Sequence, residues 1–123
     1  MAPKYSNARC HKIKLNSYRI SKLFKIVIAP CSQIIIGGWK NTKSVIGRNN
    51  KLPYKTEALT PQILSGDEYR GFWIRWDCGL VEVGKEGEVR PFLKWKDPKP
   101  IDFRYYGIST GWGATGSWLT EGE

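Results

Sequence analysis

The chain has 123 residues, of which 41% are hydrophobic and 25% charged, and its formal net charge is +9. This length suits one folded domain, and no apolar run approaches the ~18 residues that a membrane-spanning helix needs. The three cysteines, Cys10, Cys31 and Cys78, lack CxxC spacing, which argues against a zinc site and a disulfide framework.

The positive charge is concentrated in the first half of the chain. Residues 1–60 carry 12 Lys and Arg and a single acid, Glu57, whereas residues 61–123 carry 8 basic and 10 acidic residues. We interpret residues 1–22 as a basic, weakly ordered lead and residues 23–120 as a single domain. Because the basic residues are scattered and no nucleic-acid-binding motif accompanies them, we expect no specific nucleic-acid partner.

The compartment is indicated only by composition. The odd cysteine count and the lack of any Asn-x-Ser/Thr acceptor favour a cytoplasmic location. Secretion stays open as an alternative. Mitochondrial import also stays open, because residues 1–25 are rich in Lys, Arg and Ser and contain no acid.

The predicted elements are short strands rich in β-branched and aromatic residues, separated by Gly and Pro. In chain order they are LFKIVI (23–28), QIIIGGW (33–39), KSVIGR (43–48), FWIRW (72–76), LVEVG (80–84), EVRPFLKW (88–95), FRYYGIST (103–110) and SWL (117–119). Residues 49–61, with Asn-Asn and two prolines, are expected to form a loop. No ten-residue stretch has a helical apolar period, so the sequence predicts an all-β, antiparallel β-sandwich or jelly-roll-like fold.

No set of residues predicts catalysis or metal binding. The single histidine, His11, lies in the basic lead without a nucleophile or acid in a recognisable arrangement. Glu82, Glu86 and Glu88 surround a hairpin turn, where acids usually keep the turn soluble. A nucleotide-binding glycine loop opens a helix, but only ten residues follow the Gly111-Trp112-Gly113 sequence. We therefore expect no catalytic residue, no metal ligand and no cofactor.

The tryptophans offer a route to ligand binding instead. Trp73 and Trp76 are three residues apart on one predicted strand, so they face opposite sides of the sheet. Trp39 precedes a polar turn and Trp112 lies in a loop rich in glycine and hydroxyl groups. At both positions a packing role and a ligand-stacking role stay open. The candidate ligand-binding residues are Trp39, Lys40, Asn41, Thr42, Ser44, Thr110, Trp112 and Thr115.

Four segments, taken in order, resemble a known family. They are IIIGGWKNTKSVIGR (34–48), DEYRGFWIRWDCGLVEVGKEGEVRPFLKW (67–95), DP (97–98) and YYGISTGWGATGSW (105–118). Together they resemble the farnesoic acid O-methyltransferase domain of arthropods, also called the methyltransferase FA domain, over roughly residues 24–119. The resemblance implies a β-sandwich. It also implies further copies of the same domain as partners, because arthropod members often carry two.

The family name implies an enzyme, whereas the residues predict a binding module. By its name, the family would methylate farnesoic acid to methyl farnesoate in juvenile hormone synthesis, with S-adenosylmethionine as the methyl donor. Because the sequence shows no donor-binding motif, our expectation is a non-catalytic module that binds a small apolar or glycan ligand or a protein partner. The alternative is the S-adenosylmethionine-dependent O-methyltransferase itself.

Overall fold

A computed structural model describes residues 10–18, 23–29, 32–49, 51–77, 79–98, 105–110 and 117–122. Within these ranges the chain is almost entirely extended. The strands are β1 (Cys10–Tyr18), β2 (Phe24–Ala29), β3 (Ser32–Gly37), β4 (Lys43–Arg48), β5 (Lys51–Leu59), β6 (Tyr69–Asp77), β7 (Leu80–Lys85), β8 (Pro91–Lys96), β9 (Tyr105–Thr110) and β10 (Ser117–Gly122). A four-residue helical turn, hereafter the Trp39 turn (Gly38–Asn41), joins β3 to β4.

The strands form two five-stranded antiparallel sheets. Sheet A has the order β10-β1-β6-β7-β8, and sheet B has the order β5-β4-β3-β2-β9. The predicted strands FWIRW and LVEVG form an antiparallel hairpin as β6 and β7, with Asp77 opposite Leu80. The all-β antiparallel sandwich expected from the sequence is therefore confirmed.

The core lies between the inward faces of the two sheets. Because side chains alternate along a strand, every second residue of the paired strands points into this layer. Burying one Val, Ile, Leu or Phe side chain contributes about 1.5–3 kcal/mol, so this layer dominates the stability of the domain. Its members are Ile26, Ile34, Ile36, Ile46, Ile63, Leu64, Phe72, Ile74, Trp76, Val81, Val83 and Leu93.

The two tryptophans of β6 face opposite sides, as the spacing predicted. Trp76 is buried in the core, whereas Trp73 is half-buried on the other face. There the Trp73 indole N–H donates to the backbone oxygen of Glu88 at 2.9 Å, and its ring lies against Gly84. Trp73 is therefore a packing residue of the outer face of sheet A.

The N-terminal segment differs from the expectation. Cys10–Tyr18 forms β1, which lies between β10 and β6 in sheet A, and the register pairs Ile13 with Ile74. The alternation of Ile13 and Leu15 with lysines is a strand pattern, and pairing on both sides satisfies the backbone of this segment. The weakly ordered lead predicted for residues 1–22 therefore does not hold for Cys10–Tyr18.

The loop predicted for residues 49–61 is also wrong. Most of it is β5 (Lys51–Leu59), which pairs with β4 at the edge of sheet B. An edge strand tolerates Pro53, because one row of its backbone groups needs no partner within the sheet. Its polar composition follows from the same position, since alternate residues face solvent.

One side of the sandwich is closed by contacts between the sheets. The Thr56 hydroxyl of β5 donates to the backbone oxygen of Lys94 in β8 at 3.1 Å. Arg48, at the end of β4, donates through Nε to Oδ2 of Asp97 at 2.7 Å, and Asp97 is only 3% exposed. These contacts hold the β5 and β8 edges together.

Candidate functional site at the Trp39 turn

The Trp39 turn has an unusual backbone. Trp39, Lys40 and Asn41 have φ angles of 52°, 60° and 63°, so three successive non-glycine residues lie in the left-handed region. For L-amino acids this conformation costs roughly 1–2 kcal/mol per residue, and only Asn and Asp tolerate it readily. The turn is therefore stable only because the rest of the fold holds it.

The side chain of Asn41 provides much of that support. Its Oδ1 accepts from the backbone N–H of Leu64, and its Nδ2 donates to the backbone oxygen of Leu64, both at 2.9 Å. The backbone oxygen of Asn41 also accepts from the N–H of Gln62 at 2.8 Å. Through these hydrogen bonds Asn41 anchors the Trp39 turn to the connection between β5 and β6.

Two hydroxyl groups of the predicted site are also used inside the protein. The Thr42 hydroxyl donates to the backbone oxygen of Trp39 at 2.6 Å. Ser44 is completely buried; its Oγ accepts from the N–H of Gly37 at 3.2 Å and lies 2.7 Å from the Thr60 hydroxyl oxygen. A ligand therefore has no direct access to Ser44, which supports the turn from beneath.

The indole of Trp39 lies on the outer face of sheet B. It is 44% exposed, and Tyr54 meets it edge to face at 5.5 Å between ring centroids. The ammonium of Lys43 lies 4.2 Å from the indole centroid and 3.2 Å from Oε1 of Glu57. A cation over an aromatic face contributes about 0.5–1 kcal/mol at exposed sites, so these neighbours fix the orientation of the ring.

The same rings share their face of sheet B with a small apolar area outside the core. Val45 is fully buried although the register with Ile35 puts it on the outer face, opposite to the inward Ile46. The Tyr54 ring lies against Gly47: a side-chain Cβ at position 47 would be only 3.3 Å from Tyr54 Cδ1. Val45 and the two rings thus lie on the same face of sheet B, outside the core between the sheets.

The other predicted loop begins at the same end of sheet B. Thr110 ends β9 and pairs with Phe24, which in turn pairs with Ile36, two residues before the Trp39 turn begins. Two strand spacings separate Thr110 from Ile36, about 10 Å. The register thus brings the two predicted parts of the site to one end of the sheet. Trp112 and Thr115, however, lie outside the described residues.

Two contributors to the site were not predicted. Tyr54 and Glu57 lie in the segment expected to be a loop, and no local signal marks them as neighbours of Trp39. Their proximity follows from the pairing of β5 with β4, which puts Glu57 opposite Val45. A correct strand assignment for residues 51–59 would have revealed this arrangement.

A cleft lies at one end of sheet A. This cleft has a volume of about 580 Å³, with buried Ile63 and Phe72 in its lining. Glu68 pairs with Arg70 at 2.8 Å, and Glu86 lies over Gly71, whose backbone oxygen accepts its N–H. Within the described part of the chain, no three His, Cys, Asp or Glu side chains are grouped to hold a metal ion.

These features define a two-sheet antiparallel β-sandwich domain with an exposed, rigidly held tryptophan at one end of a sheet. The chain matches the family model described as farnesoic acid O-methyl transferase over residues 22–123, and it belongs to that family. The match confirms the resemblance seen in the sequence. Comparisons with curated proteins and with solved structures gave no match. In the part of the chain that the structure describes, no helix is long and apolar enough to cross a membrane.

Proposed function

We propose that this farnesoic acid O-methyltransferase-like domain is a non-catalytic recognition module whose binding site is centred on the Trp39 turn. The observation that carries the proposal is the exposed indole on three successive left-handed residues. Backbone strain of this kind persists only where the surrounding structure enforces it, and it is concentrated at binding and active sites.

The geometry suits stacking on a ligand. Trp39 offers a large apolar surface whose orientation Tyr54 and Lys43 fix before binding, so little conformational entropy is lost on association. Exposed tryptophans with such support are frequent anchors for sugars, apolar molecules and protein partners. Lys40, exposed beside the indole, adds a charged donor.

The predicted site residues take two kinds of role under this proposal. Trp39 and Lys40 contact the ligand, whereas Asn41, Thr42 and Ser44 hold the turn through their internal hydrogen bonds. Three further predicted members stay predictions, of which only Thr110, the last residue of β9, lies within the described residues. They are Thr110, Trp112 and Thr115. We also propose a cytoplasmic location, on the cysteine count and the missing glycosylation acceptors.

Calorimetric titration tests the proposal with glycans, farnesoic acid and methyl farnesoate as ligands. We expect one class to bind and Trp39→Ala to weaken that binding at least tenfold, because the stacking surface is lost. Val89→Ala is the control, since Val89 is 93% exposed in the β7–β8 turn and lies outside the lining of the sheet A cleft. The proposal is wrong if no ligand binds, or if both variants weaken binding equally.

A second candidate function is methyl transfer to farnesoic acid, as in juvenile hormone synthesis in arthropods. The family name suggests it, and the cleft of about 580 Å³ on sheet A is the described surface at which a small molecule could bind. Its residues fit S-adenosylmethionine poorly, because Glu68 is already paired with Arg70. In addition, the longest helix in the described part of the chain is the four-residue Trp39 turn, so no described glycine loop leads into a longer helix. Measurable S-adenosylmethionine binding by the purified protein would support this candidate over the binding module.

A further inference from the structure

The outer face of sheet B combines lysines with exposed apolar side chains. Alternation along β2 and β5 puts Lys25, Val27, Lys55 and Leu59 on this face, opposite to the inward Ile26. Lys40 and Trp39 lie at its end in the Trp39 turn. We call this surface the lysine face; its members are Lys25, Val27, Trp39, Lys40, Lys43, Lys55 and Leu59.

The charge on the lysine face is almost all positive. Of the described residues from 24 to 59, Glu57 is the only acid, and it is paired with Lys43 at 3.2 Å. No described carboxylate lies within ion-pair distance of Lys25, Lys40 or Lys55. The outer face of sheet A is basic as well, because the register puts Lys14, Arg75 and Lys94 on it. Its acid Glu82 pairs with Arg75 at 3.8 Å. Both outer faces are therefore cationic, and the exposed apolar residues Leu59 and Val27 distinguish the lysine face.

The apolar residues of this face are the second observation. Leu59 is 84% exposed, Trp39 44% and Val27 38%, so three apolar side chains project among the lysines. From β2 to β5 they extend over three strand spacings, about 14 Å. A polyanion such as nucleic acid would account for the lysines, but it would leave Leu59 and Val27 uncovered.

We infer that the lysine face docks the domain onto an anionic phospholipid membrane. Lysine side chains keep their ammonium groups at the headgroup phosphates while their methylene stems lie on apolar surface, and tryptophan is enriched at the same depth. Leu59 and Val27 then reach the boundary of the acyl chains. The domain binds at the surface of one leaflet, and the contact needs no conformational change.

This inference shares Trp39 with the proposed function and adds the location at which recognition takes place. The Trp39 turn lies at the end of the lysine face, so docking brings it to the headgroup region. A ligand that partitions into the membrane would thereby meet the site at a raised local concentration. The two ideas are nevertheless separable, because binding of a soluble ligand requires no lipid.

Vesicle co-sedimentation of the full chain tests the inference. With phosphatidylcholine vesicles containing about 30% phosphatidylserine we expect binding, and with phosphatidylcholine alone at least tenfold less, because each lysine near an anionic leaflet raises partitioning about fivefold. Binding to the anionic vesicles should also decrease as salt is raised.

Two pairs of variants locate the contact. Lys25→Gln/Lys40→Gln/Lys55→Gln removes three charges from the lysine face and should lower partitioning at least tenfold. The matched control removes three exposed lysines of sheet A, so that both variants reduce the net charge of +9 by the same amount. The control variant should change partitioning less than about twofold. Its substitutions are Lys85→Gln, Lys94→Gln and Lys96→Gln.

The second pair tests the apolar contact at constant charge. Leu59→Ser should lower partitioning about fivefold, whereas Val89→Ser, which removes a 93% exposed valine in the β7–β8 turn, should leave it unchanged. Equal effects of the two triple variants, or no effect of Leu59→Ser, would overturn the inference. It is also overturned if an oligothymidylate binds as tightly as the vesicles and the lysine-face variant weakens both.

Failure of this inference is distinguishable from failure of the proposed function. If vesicle binding is absent but a soluble ligand still binds in a Trp39-dependent way, the recognition module remains and only membrane docking is lost. If vesicles bind and no soluble ligand does, the proposed function fails while the docking surface stands. Thermal unfolding of each variant confirms that lost binding does not reflect lost folding.

Discussion

Replacing Asn41 tests whether its side chain holds the Trp39 turn. Asn41→Ala removes two hydrogen bonds of 2.9 Å to the backbone of Leu64, each of which contributes about 1 kcal/mol net. It also puts alanine at φ 63°, which costs about 1 kcal/mol more than asparagine there. We therefore expect the free energy of unfolding to decrease by about 3 kcal/mol.

Two further variants separate these contributions. Asn49 has a φ of 57° and is exposed in the turn between β4 and β5, so Asn49→Ala should cost only the conformational share, about 1 kcal/mol. Asn41→Gly accepts the left-handed conformation but loses both bonds, and should cost about 2 kcal/mol.

Urea unfolding, followed by circular dichroism and by tryptophan fluorescence, gives these values if both probes report one transition. The reasoning fails if Asn41→Ala costs no more than Asn49→Ala. It also fails if glycine at position 41 restores full stability, since the two hydrogen bonds would then contribute nothing.

Two further predictions concern packing and charge elsewhere in the sandwich. Gly84→Ala should lower the free energy of unfolding by about 1–3 kcal/mol, because the new methyl group overlaps the Trp73 ring; Gly107→Ala, where a Cβ meets nothing, should change it by less than about 1 kcal/mol. Asp97→Asn should lower the free energy of unfolding by about 2 kcal/mol, because it weakens the buried contact to Arg48. This value is smaller than that of a fully buried pair, since the Arg48 side chain is 21% exposed. Urea unfolding midpoints check both predictions. Equal stabilities for the two glycine variants would contradict the packing argument. An Asp97→Asn protein as stable as the parent would contradict the ion-pair argument.

The sequence predicted the strands whose residues alternate in the expected way. FWIRW and LVEVG form β6 and β7 as predicted, because aromatic and β-branched residues alternate and Gly79, with φ 88°, permits the tight turn. Strands β1 and β5 were missed for a common reason. Both are rich in lysine, and their pairing with neighbouring strands, rather than apolar composition, makes them part of the sheets.

The candidate site was predicted in composition but not in geometry. The sequence marked Trp39 and its polar neighbours, yet no local propensity predicts left-handed Trp39 and Lys40. That conformation depends on contacts to Leu64, which is 23 residues from Asn41 in the chain. Similarly, Tyr54 meets the indole, and Glu57 meets Lys43 above it, only through the pairing of β5 with β4. Long-range contacts of this kind are invisible to periodicity and turn rules.

The contact between Trp73 and Gly84 links the substitutions that these two positions can accept. Any side chain at position 84 collides with the indole as long as Trp73 is present. Once residue 73 is small, the same substitution at position 84 becomes harmless. The two changes are therefore non-additive: the cost of a side chain at position 84 depends on whether the indole at position 73 is present.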